Sequence, residues 1–508
     1  MPDAVVVGAG PNGLVAANLL ADRGLDVVVL EAQPDPGGAA RSAELIEPGY
    51  QHDRFSAFHV LATVSPALTS LQLERHGLRW ARSPLALAHP SSDGTCPGLA
   101  ATTEETAALL ERWSPGDGER WHALLRWWER YGPPILESFL GPWPPVKGPL
   151  RLAARANVEL LELARFLLLP ARTMGCELFS GLASARLLVG CTAHSDLGPD
   201  QTLSGFPGLL LLLVGQEHGW PTPVGGAGAL TGALVARLQS VGGRVRCSAP
   251  VESVLTAGRR AVGVRLVGGE EVEARVVVAD TGAEQLYTGL IGEERLSAKV
   301  QRRVGRFGRT PGTVKVDWTL DGPVPWLAAD ARRAATIHIG DSIEVIADAA
   351  HALSQGRVPE QPFLLFGQYS PVDPGRMPAG KEVCWAYAHV PRDVPVDSGR
   401  FADRMELQVE RLAPGFRDLI RGRHVVGPPE LEGADANLVG GMIGGGTIAL
   451  HQMLVFRPVP QLSPARTPLT GLFLGSDATH PGGGVHGACG ANAARSALRF
   501  LATTGRFR

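Results

Sequence analysis

Lysine is scarce in this sequence of 508 residues. It occurs only as Lys147, Lys299, Lys315 and Lys381, and arginine supplies nearly all of the positive charge. Lysine and arginine together number 48 against 50 acidic residues, so the formal net charge is -2. A nearly neutral chain has no excess positive charge with which to attract a polyanion. Nucleic acid is therefore not an expected partner.

Cysteine is also sparse and never occurs as a C-x-x-C pair. The absence of such pairs argues against a redox dithiol, a zinc site and a disulfide framework. Ordinary buried thiols in a reducing cytosol are the favoured interpretation, and no metal is expected. The six cysteines are Cys96, Cys176, Cys191, Cys247, Cys384 and Cys489.

The sequence lacks any uninterrupted apolar run close to the ~20 residues that a membrane-spanning helix requires. The first strand begins at Ala4 without a positively charged leader, so a signal peptide is not predicted. These features predict a cytoplasmic protein. Trp127 and Trp143 leave peripheral membrane contact open, because aromatic residues could dock there to collect a lipid. Packing inside a helical cap domain is the favoured explanation for them.

A glycine-rich turn lies between two apolar strands near the start of the chain. Residues 4–7 form a β-branched run, and Gly8, Gly10 and Gly13 follow with the spacing G-x-G-x-x-G. These glycines permit a tight turn, a close approach to a pyrophosphate and close packing of helix on strand. The second strand ends on Glu31, and an acid about 20 residues past the fingerprint accepts from ribose hydroxyls. The stretch predicts a dinucleotide site.

Two further glycine-bearing segments match this site. Gly37 and Gly38 follow Glu31 closely, and Arg41 can offer a forked donor to a second phosphate charge. The C-terminal segment L-F-L-G-S-D-A-T-H-P-G-G-G-V-H-G starts at Leu472 and again reads as strand, turn and helix. Its helix is predicted from about residue 486 to residue 501.

These residues resemble the flavin-dependent amine oxidase and phytoene desaturase superfamily. The likeness is greatest to its phytoene-dehydrogenase-like branch, which contains the pyridine nucleotide-disulphide oxidoreductase domain-containing protein 2 group. It runs from residue 4 to about residue 500 and is strongest at the two ends. The resemblance implies that the first turn binds the AMP half of FAD, that Asp477 holds the ribityl chain, and that the following helix faces the flavin pyrimidine.

The resemblance also implies a set of cofactor contacts spread over three parts of the chain. In relatives the glycine element at Gly225 and Gly226 lines the catalytic cavity, and the position of Val251 touches adenine through its backbone. The predicted FAD contacts are Gly8, Gly10, Pro11, Asn12, Gly13, Glu31, Ala32, Gly37, Gly38, Ala39, Arg41, Gly225, Gly226, Val251, Gly475, Asp477, Gly483, Gly484 and Val485.

The fold class that follows is α/β, with a discontinuous Rossmann-type FAD-binding domain and an inserted α+β cap domain for the substrate. The FAD-binding domain is predicted to comprise residues 1–62, 222–283 and 463–508. The cap is predicted to comprise residues 63–221 and 284–462. Within it, residues 313–320 alternate with period 2, and further strands predict a mixed or antiparallel sheet.

Three residues are candidates for catalysis. Lys315 lies on the polar side of an apolar strand, and in amine oxidases a strand lysine holds a water against flavin N5. A solvent-facing lysine is the equal alternative. His480 and His486 flank the C-terminal glycine turn, where either could assist, although H-P-G-G-G is also explained as a turn alone. His59 and Asp53 are weaker candidates for flavin contact, since a loop histidine usually bonds to backbone.

A second fingerprint for NAD(P) is missing, because the glycines at residues 225–228 lack a preceding strand. The sequence therefore predicts an FAD-dependent oxidoreductase that desaturates or oxidises an apolar, isoprenoid- or carotenoid-like small molecule. Electrons would leave to oxygen, a quinone or another diffusible acceptor. An amine oxidase and a redox-neutral isomerase are the enzymatic alternatives, and a lipid- or prenyl-binding protein or an assembly flavoprotein is the non-catalytic one. The sequence does not indicate an oligomeric state.

Overall fold

The computed structural model describes residues 1–461, 463 and 465–504. The predicted domain boundary at Leu462 and the last four residues of the predicted FAD-binding domain lie outside this part. None of the described helices is both long enough and apolar enough to cross a membrane.

Short strands alternate with helices along the first 300 residues, and longer strands dominate the next 130. The strands are β1 Ala4–Val7, β2 Val27–Leu30, β3 Ser42–Ala43, β4 His52–Asp53, β5 Trp80–Ala81, β6 Leu85–Ala88, β7 Gly98–Ala100, β8 Thr222–Pro223, β9 Arg244–Arg246, β10 Val251–Ala257, β11 Arg260–Leu266, β12 Glu271–Glu273, β13 Val276–Ala279, β14 Gly312–Leu320, β15 Ala334–Ile339, β16 Leu364–Gln368, β17 Glu382–Val390, β18 Ile420–Val426 and β19 Leu472–Leu474.

The helices concentrate in the first insertion, between residues 66 and 218. The α-helices are α1 Pro11–Ala21, α2 Pro66–Thr69, α3 Thr103–Trp113, α4 Asp117–Leu140, α5 Lys147–Ala156, α6 Leu160–Leu168, α7 Ala171–Leu178, α8 Leu182–Thr192, α9 Gly205–His218, α10 Gly228–Ser240, α11 Ala298–Val304, α12 Ile343–Ser354, α13 Ser398–Leu412, α14 Pro428–Ala434 and α15 Ala488–Thr503.

A five-stranded parallel sheet carries the nucleotide-binding half of the molecule. Its order is β19-β13-β1-β2-β9, so strands from the start, the middle and the end of the chain lie side by side. Every pair in it is parallel. Because β1 is central and buried on both faces, its sequence is continuously apolar. The sheet confirms the predicted discontinuous Rossmann-type architecture.

A seven-stranded mixed sheet forms the floor of the cap, in the order β18-β14-β17-β16-β15-β6-β7. Strands β6 and β7 come from the first insertion and the other five from the second, and β6 joins β15 in parallel. Both insertions therefore contribute strands to one sheet, as expected for the predicted α+β cap domain. Trp127 packs on Tyr131 and Phe166 at ring-centroid distances of 5.3 and 5.2 Å, and Trp143 lies 5.0 Å from the His480 ring.

Helix α4 runs from Asp117 to Leu140 and passes through Pro133 and Pro134. Proline usually breaks a helix interior, so tertiary packing of the apolar residues of α4 outweighs this local signal. Residues 157–159 form a 3-10 turn, and the chain becomes α-helical at Leu160.

Helices α1 and α15 meet the parallel sheet through glycines. A Cβ atom on Gly490 of α15 would overlap the carbonyl oxygen of Asn12 in α1, and a Cβ on Gly13 would overlap that of Gly8. Only glycine permits such an approach of backbone to backbone. These contacts bring the two ends of the chain together.

We expect Gly490→Ala to lower the free energy of unfolding by about 1–3 kcal/mol, because the added methyl group forces α15 away from α1. Denaturant titration measures this change. Gly232→Ala is the matched control, since Gly232 is an exposed helical glycine whose Cβ would meet nothing within 4 Å. The control should gain up to about 1 kcal/mol. Equal effects at the two positions would contradict this packing.

Candidate functional site

The first glycine turn presents the start of α1 to a cleft at the edge of the parallel sheet. Gly8 has φ +95, and a Cβ there would lie 2.8 Å from the carbonyl oxygen of Asp280. The Asp280 carboxylate accepts a hydrogen bond from the Gly13 N–H at 2.7 Å. Pro11 opens the helix, and the buried side-chain oxygen of Asn12 has no hydrogen-bond partner among the described residues. The turn thus holds free polar groups at a helix N-terminus, where phosphate binds.

Glu31 ends β2 with its carboxylate fixed by the backbone. One oxygen accepts from the N–H of Ala9 at 2.7 Å and the other from the N–H of Gln33 at 2.9 Å. The side chain is 8% exposed, whereas the following Ala32 is on the surface. Because each oxygen keeps a second acceptor position, the carboxylate can also accept from two sugar hydroxyls.

The segment after Glu31 folds back onto the first turn. A Cβ on Gly38 would lie 3.1 Å from the Gly10 Cα and 3.5 Å from a carboxylate oxygen of Asp435. The Arg41 guanidinium donates to the carbonyl oxygens of Gly38 and Ala434, at 2.8 and 2.7 Å. In this structure Arg41 therefore fixes backbone from two distant segments, and its predicted contact with a phosphate stays a prediction.

The second glycine turn lies against the first one. Gly475 follows β19, and its N–H donates to the carbonyl oxygen of Ala279 at 2.7 Å. Gly484 has φ +119, and a Cβ on Gly483 would lie 3.0 Å from the carbonyl oxygen of Gly444. Helix α15 begins four residues after Gly484; the N–H of its first residue, Ala488, donates to Nδ1 of His486, and the next N–H groups have no acceptor within the helix.

Arg457 lies beside the second glycine turn, and its role was not predicted from the sequence. Its side chain is 1% exposed and donates to the carbonyl oxygens of Asp477, Thr447 and Gly445, at 2.7–2.9 Å. It thereby ties the glycine-rich loop at residues 444–446 to the segment after β19. The signal available in the sequence was the F-R-P at residues 456–458, which lies ten residues past this glycine-rich loop.

Glycines 225 and 226 are held in place by buried acids. The N–H of Gly225 donates to Asp373 at 2.8 Å, and the N–H of Ala227 donates to Asp53 at 2.6 Å. Arg376 is 2% exposed and bridges both acids, with distances of 2.6 Å to Asp53 and 2.8 Å to Asp373. Gly225 and Gly226 thus sit in a loop between β8 and α10. The expectation that no strand precedes these glycines is therefore wrong, but β8 has only two residues and pairs antiparallel with β5, outside the parallel sheet.

Val251, whose backbone is predicted to contact adenine, is the first residue of β10. It is half-buried and pairs with Leu266 in the three-stranded antiparallel sheet β10-β11-β12. Packing of this sheet against β2 and β13 brings it to the nucleotide-binding half.

A cavity of about 370 Å³ opens beside the second glycine turn. Ala39, Gly483, Gly484 and Val485 line it on one side, and Lys315 lines it from the cap. Three segments that are far apart in sequence, each with predicted site residues, therefore meet at one space.

Lys315 is buried and not solvent-facing, with 3% of its surface exposed. Its ammonium group donates to the carbonyl oxygen of Asp53 at 3.0 Å and forms an ion pair with Asp317. All nine residues of strand β14 are buried, so both of its faces contact protein. The solvent-facing alternative is therefore wrong, because the strand has no solvent-facing side.

The histidines beside the second turn have different surroundings. His486 is fully buried, with one ring nitrogen 3.1 Å from the carbonyl oxygen of Gly482 and the other accepting from the N–H of Ala488 at 3.1 Å. These two hydrogen bonds indicate that His486 stabilises the turn. His480 is 2% exposed and packs on Trp143, and its ring nitrogens have no hydrogen-bond partner among the described residues. Burial lowers the pKa of both imidazoles to about 4, so both are neutral at physiological pH.

His59 departs from the expectation that its ring bonds to backbone. Its ring lines the cavity, and neither ring nitrogen has a hydrogen-bond partner in the described part of the chain. The backbone N–H, and not the ring, makes the local bond, to the carbonyl oxygen of Pro221 at 2.8 Å.

Four acids gather around the first turn, and two of them were missed in the sequence. Burial raises the pKa of Asp280 well above its usual value, and it raises those of Asp435 and Asp477 as well. The negative charge of Glu31 adds to the effect on Asp280 and Asp435. Asp280 could have been found, because it directly follows a buried parallel strand, as Glu31 does. Asp435 gave no such signal, since only the folded chain brings α14 over Gly38.

The raised pKa of Asp280 makes stability depend on pH. Its proton is bound more tightly in the folded than in the unfolded protein, so the stability it contributes is complete below the unfolded pKa and is lost as pH rises through the folded pKa. We expect nucleotide-free Asp280→Asn protein to be more stable than the unmodified protein at neutral pH. As the pH rises, the free energy of unfolding of Asp280→Asn should fall less steeply than that of the unmodified protein. The difference between the two slopes should be up to about 1.4 kcal/mol per pH unit.

Denaturant unfolding between pH 5 and pH 8 measures this slope. Asp418→Asn, at an exposed acid, is the control and should leave the slope unchanged. If Asp280→Asn and the unmodified protein show the same slope, Asp280 does not carry the raised pKa.

Comparison with known proteins agrees with this architecture. Residues 6–71 match the NAD(P)-binding Rossmann-like domain model, and residues 160–497 match the flavin containing amine oxidoreductase model. The chain is 28% identical over 556 residues to "Pyridine nucleotide-disulfide oxidoreductase domain-containing protein 2" of Rattus norvegicus, covering 98% of this chain and 94% of the relative. It is 27% identical over 530 residues to the hydroxyneurosporene desaturase of Cereibacter sphaeroides, covering 100% and 99%.

A solved oxidoreductase from Methanosarcina mazei shares the fold, with a TM-score of 0.64 at 15% identity, over 98% of this chain and 100% of that one. The site suits FAD: glycines leave room for a diphosphate, Asn12 offers an unsatisfied buried oxygen, and the fixed Glu31 can accept from a ribose. The matched model spans two thirds of the sequence. The chain belongs to the flavin containing amine oxidoreductase family and is an FAD-dependent oxidoreductase.

Proposed function

We propose that this enzyme desaturates or dehydrogenates a largely apolar small molecule of isoprenoid or carotenoid type. The observation that carries the proposal is the cavity beside the second glycine turn, because its walls are mostly apolar and reach the predicted flavin contacts. Its aromatic lining comprises four phenylalanines, two tryptophans and one tyrosine: Phe55, Phe58, Phe139, Phe206, Trp220, Trp385 and Tyr387. Apolar pockets with a few placed polar groups are typical of small-molecule sites.

Polar groups are a minority on the cavity wall, and both charged side chains there are engaged. Asp196, a carboxylate on this wall, accepts from the N–H of Ile448 at 3.0 Å. Lys315 is paired with Asp317. A charged substrate would have to leave its water for walls that are mostly apolar, which is costly. An uncharged hydrocarbon has no such cost, and this supports the apolar substrate over an amine.

FAD supplies a two-electron acceptor for hydride. This chain provides the rest: its apolar walls bind and orient the substrate, and its packing excludes water. The N-terminus of α15 places backbone N–H groups where negative charge develops. Lys315, held by Asp53 and Asp317, is placed to position a water or to contribute positive charge at the same end of the cavity.

The hydroxyneurosporene desaturase relative is in line with this substrate class. We further propose oxygen or a quinone as the diffusible acceptor, since the sequence offers no second nucleotide fingerprint. Peripheral membrane contact stays a prediction.

Anaerobic spectroscopy tests the substrate class. The flavin absorbance of the FAD-loaded protein should be bleached by an acyclic carotenoid in detergent and should stay unchanged with cyclohexylamine. Readmitting oxygen, or adding a soluble quinone, should restore it. Bleaching by the amine alone would contradict the proposal. A failure of both compounds would favour the non-catalytic alternative.

We expect Lys315→Met to slow flavin reduction by the substrate, or flavin reoxidation, by about tenfold or more, while FAD stays bound, because a positioned charge is lost from the cavity. Stopped-flow absorbance measures both half-reactions. Lys381→Met is the matched control, since Lys381 pairs with Asp321 on the surface. Unchanged rates in both half-reactions would remove Lys315 from the site.

A further inference from the structure

Three histidines that the sequence analysis did not single out lie together beside the substrate cavity. His89 directly follows β6, His194 follows α8 by two residues, and His338 lies in β15. His89 and His338 are fully buried, whereas His194 lines the cavity and keeps part of its surface exposed. Aromatic rings enclose the group, with Trp220 at 5.1 Å from His194 and Phe363 at 5.4 Å from His338.

The three rings contact one another in order from the interior to the cavity, and a hydrogen bond joins the last two. Nε2 of His89 is 2.8 Å from the carbonyl oxygen of Gly340, and Nε2 of His338 is 2.9 Å from Nε2 of His194. The rings of His89 and His338 meet edge to face, with centroids 5.4 Å apart. A Cβ on Gly190 would lie 2.5 Å from Nδ1 of His338 and 2.8 Å from Nδ1 of His89. Both Nδ1 atoms therefore point to one small space that glycine leaves open.

The carbonyl oxygen of Gly340 fixes the tautomer of His89. A carbonyl oxygen can only accept, so Nε2 of His89 carries the proton and Nδ1 of a neutral His89 is a lone pair. Nδ1 of His338 approaches the same space, where a second lone pair would be repelled. No hydrogen bond joins these two Nδ1 atoms in the described structure, so the repulsion between lone pairs is what favours a proton on Nδ1 of His338, and this leaves its Nε2 as an acceptor.

The tautomer of His194 follows from its neighbour. Because Nε2 of His338 accepts, Nε2 of His194 must donate, and Nδ1 of His194 is left as a lone pair. This nitrogen has no hydrogen-bond partner among the described residues, and it is not fully buried, unlike Nδ1 of His89 and of His338. The chain of rings thus presents a proton acceptor on the wall of the cavity.

Burial keeps the three rings neutral by lowering their pKa values, and neighbouring groups add to this effect. Arg186 donates to the carbonyl oxygen of His89, and its positive charge disfavours a proton on that ring. His389 faces His194 and has the same effect there. Burial lowers the pKa of His89 and His194 to about 3, so the rings rest unprotonated at physiological pH.

We propose that Nδ1 of His194 accepts the proton that desaturation releases, and that His338 positions it as the acceptor. This inference rests on the proposed function. One hydrogen leaves a substrate carbon together with both electrons of its C–H bond, as hydride to the flavin. The adjacent carbon loses its hydrogen as a proton to Nδ1 of His194, and the electron pair of that C–H bond becomes the new double bond.

His338 then shares the added charge. When Nδ1 of His194 is protonated, its Nε2–H can move along the existing hydrogen bond to Nε2 of His338. His59 also lines the cavity, but neither of its ring nitrogens is held by a partner in the described structure, so nothing fixes its tautomer. His194 differs in having one nitrogen held and the other free.

Nitrogen-15 NMR of the histidine-labelled, FAD-loaded protein tests the tautomers directly. Two-bond proton–nitrogen correlations should show His338 as the Nδ1–H form and His89 and His194 as the Nε2–H form. His89→Gln, His194→Gln and His338→Gln each remove one signal and so assign the spectrum. A neutral His194 that carries its proton on Nδ1 would overturn the proposal, because it would offer the cavity a donor.

Kinetics supply the second test, with the acyclic carotenoid as the substrate. His194→Gln should slow flavin reduction by about 10²-fold or more, the range for loss of a positioned base, with FAD affinity unchanged. His338→Gln should slow it less and should shift the pH profile of flavin reduction, which a merely structural residue would not do. His122→Gln, at a half-exposed histidine of α4, is the control and should react normally.

An unchanged rate in His194→Gln would overturn the inference. Failure of the carotenoid to bleach the flavin of the unmodified protein would instead contradict the proposed function. The tautomer pattern is read without substrate, so the two failures are distinguishable.

Discussion

The direct contact of backbone with backbone at the starts of α1 and α15 is the constraint on which the rest of the structure depends. Gly13 rests on the Gly8 carbonyl, and Gly490 rests on that of Asn12. These contacts bring two helix N-termini, from opposite ends of the sequence, to the same side of one parallel sheet. A ligand with two anionic or electron-rich portions can therefore be held at both ends at once.

The cap contributes the second half of the site through buried charge. Arg376 joins Asp53 and Asp373, which in turn hold the loop before α10, and Arg457 ties the glycine-rich loop at residues 444–446 to the segment after β19. Breaking such buried pairs usually costs several kcal/mol, because one charge is left without its partner. The two networks therefore make the geometry of the cavity depend on segments that are remote in sequence, and they leave its apolar walls for the substrate.

The nucleotide-binding half was largely predictable because its signals are local. The glycine spacing, the strand before it and the acid after β2 each follow from short stretches of chain, and the strand from Leu472 to Leu474 was placed correctly. What the sequence could not supply was long-range proximity. Nothing in the neighbourhood of Asp435 indicates that it lies over Gly38, and His89, His194 and His338 are separated by more than 100 residues each. The buried position of Lys315 likewise depends on which strands flank β14.

Titration of nucleotide-free protein with FAD, FMN and ADP tests most directly whether the two ends of the chain hold one molecule. We expect saturable binding of one FAD per chain, with a change in flavin fluorescence and competition by ADP. FMN, which lacks the adenine half, should bind much more weakly. FMN binding as tight as FAD binding, or no saturable binding of FAD, would contradict this expectation.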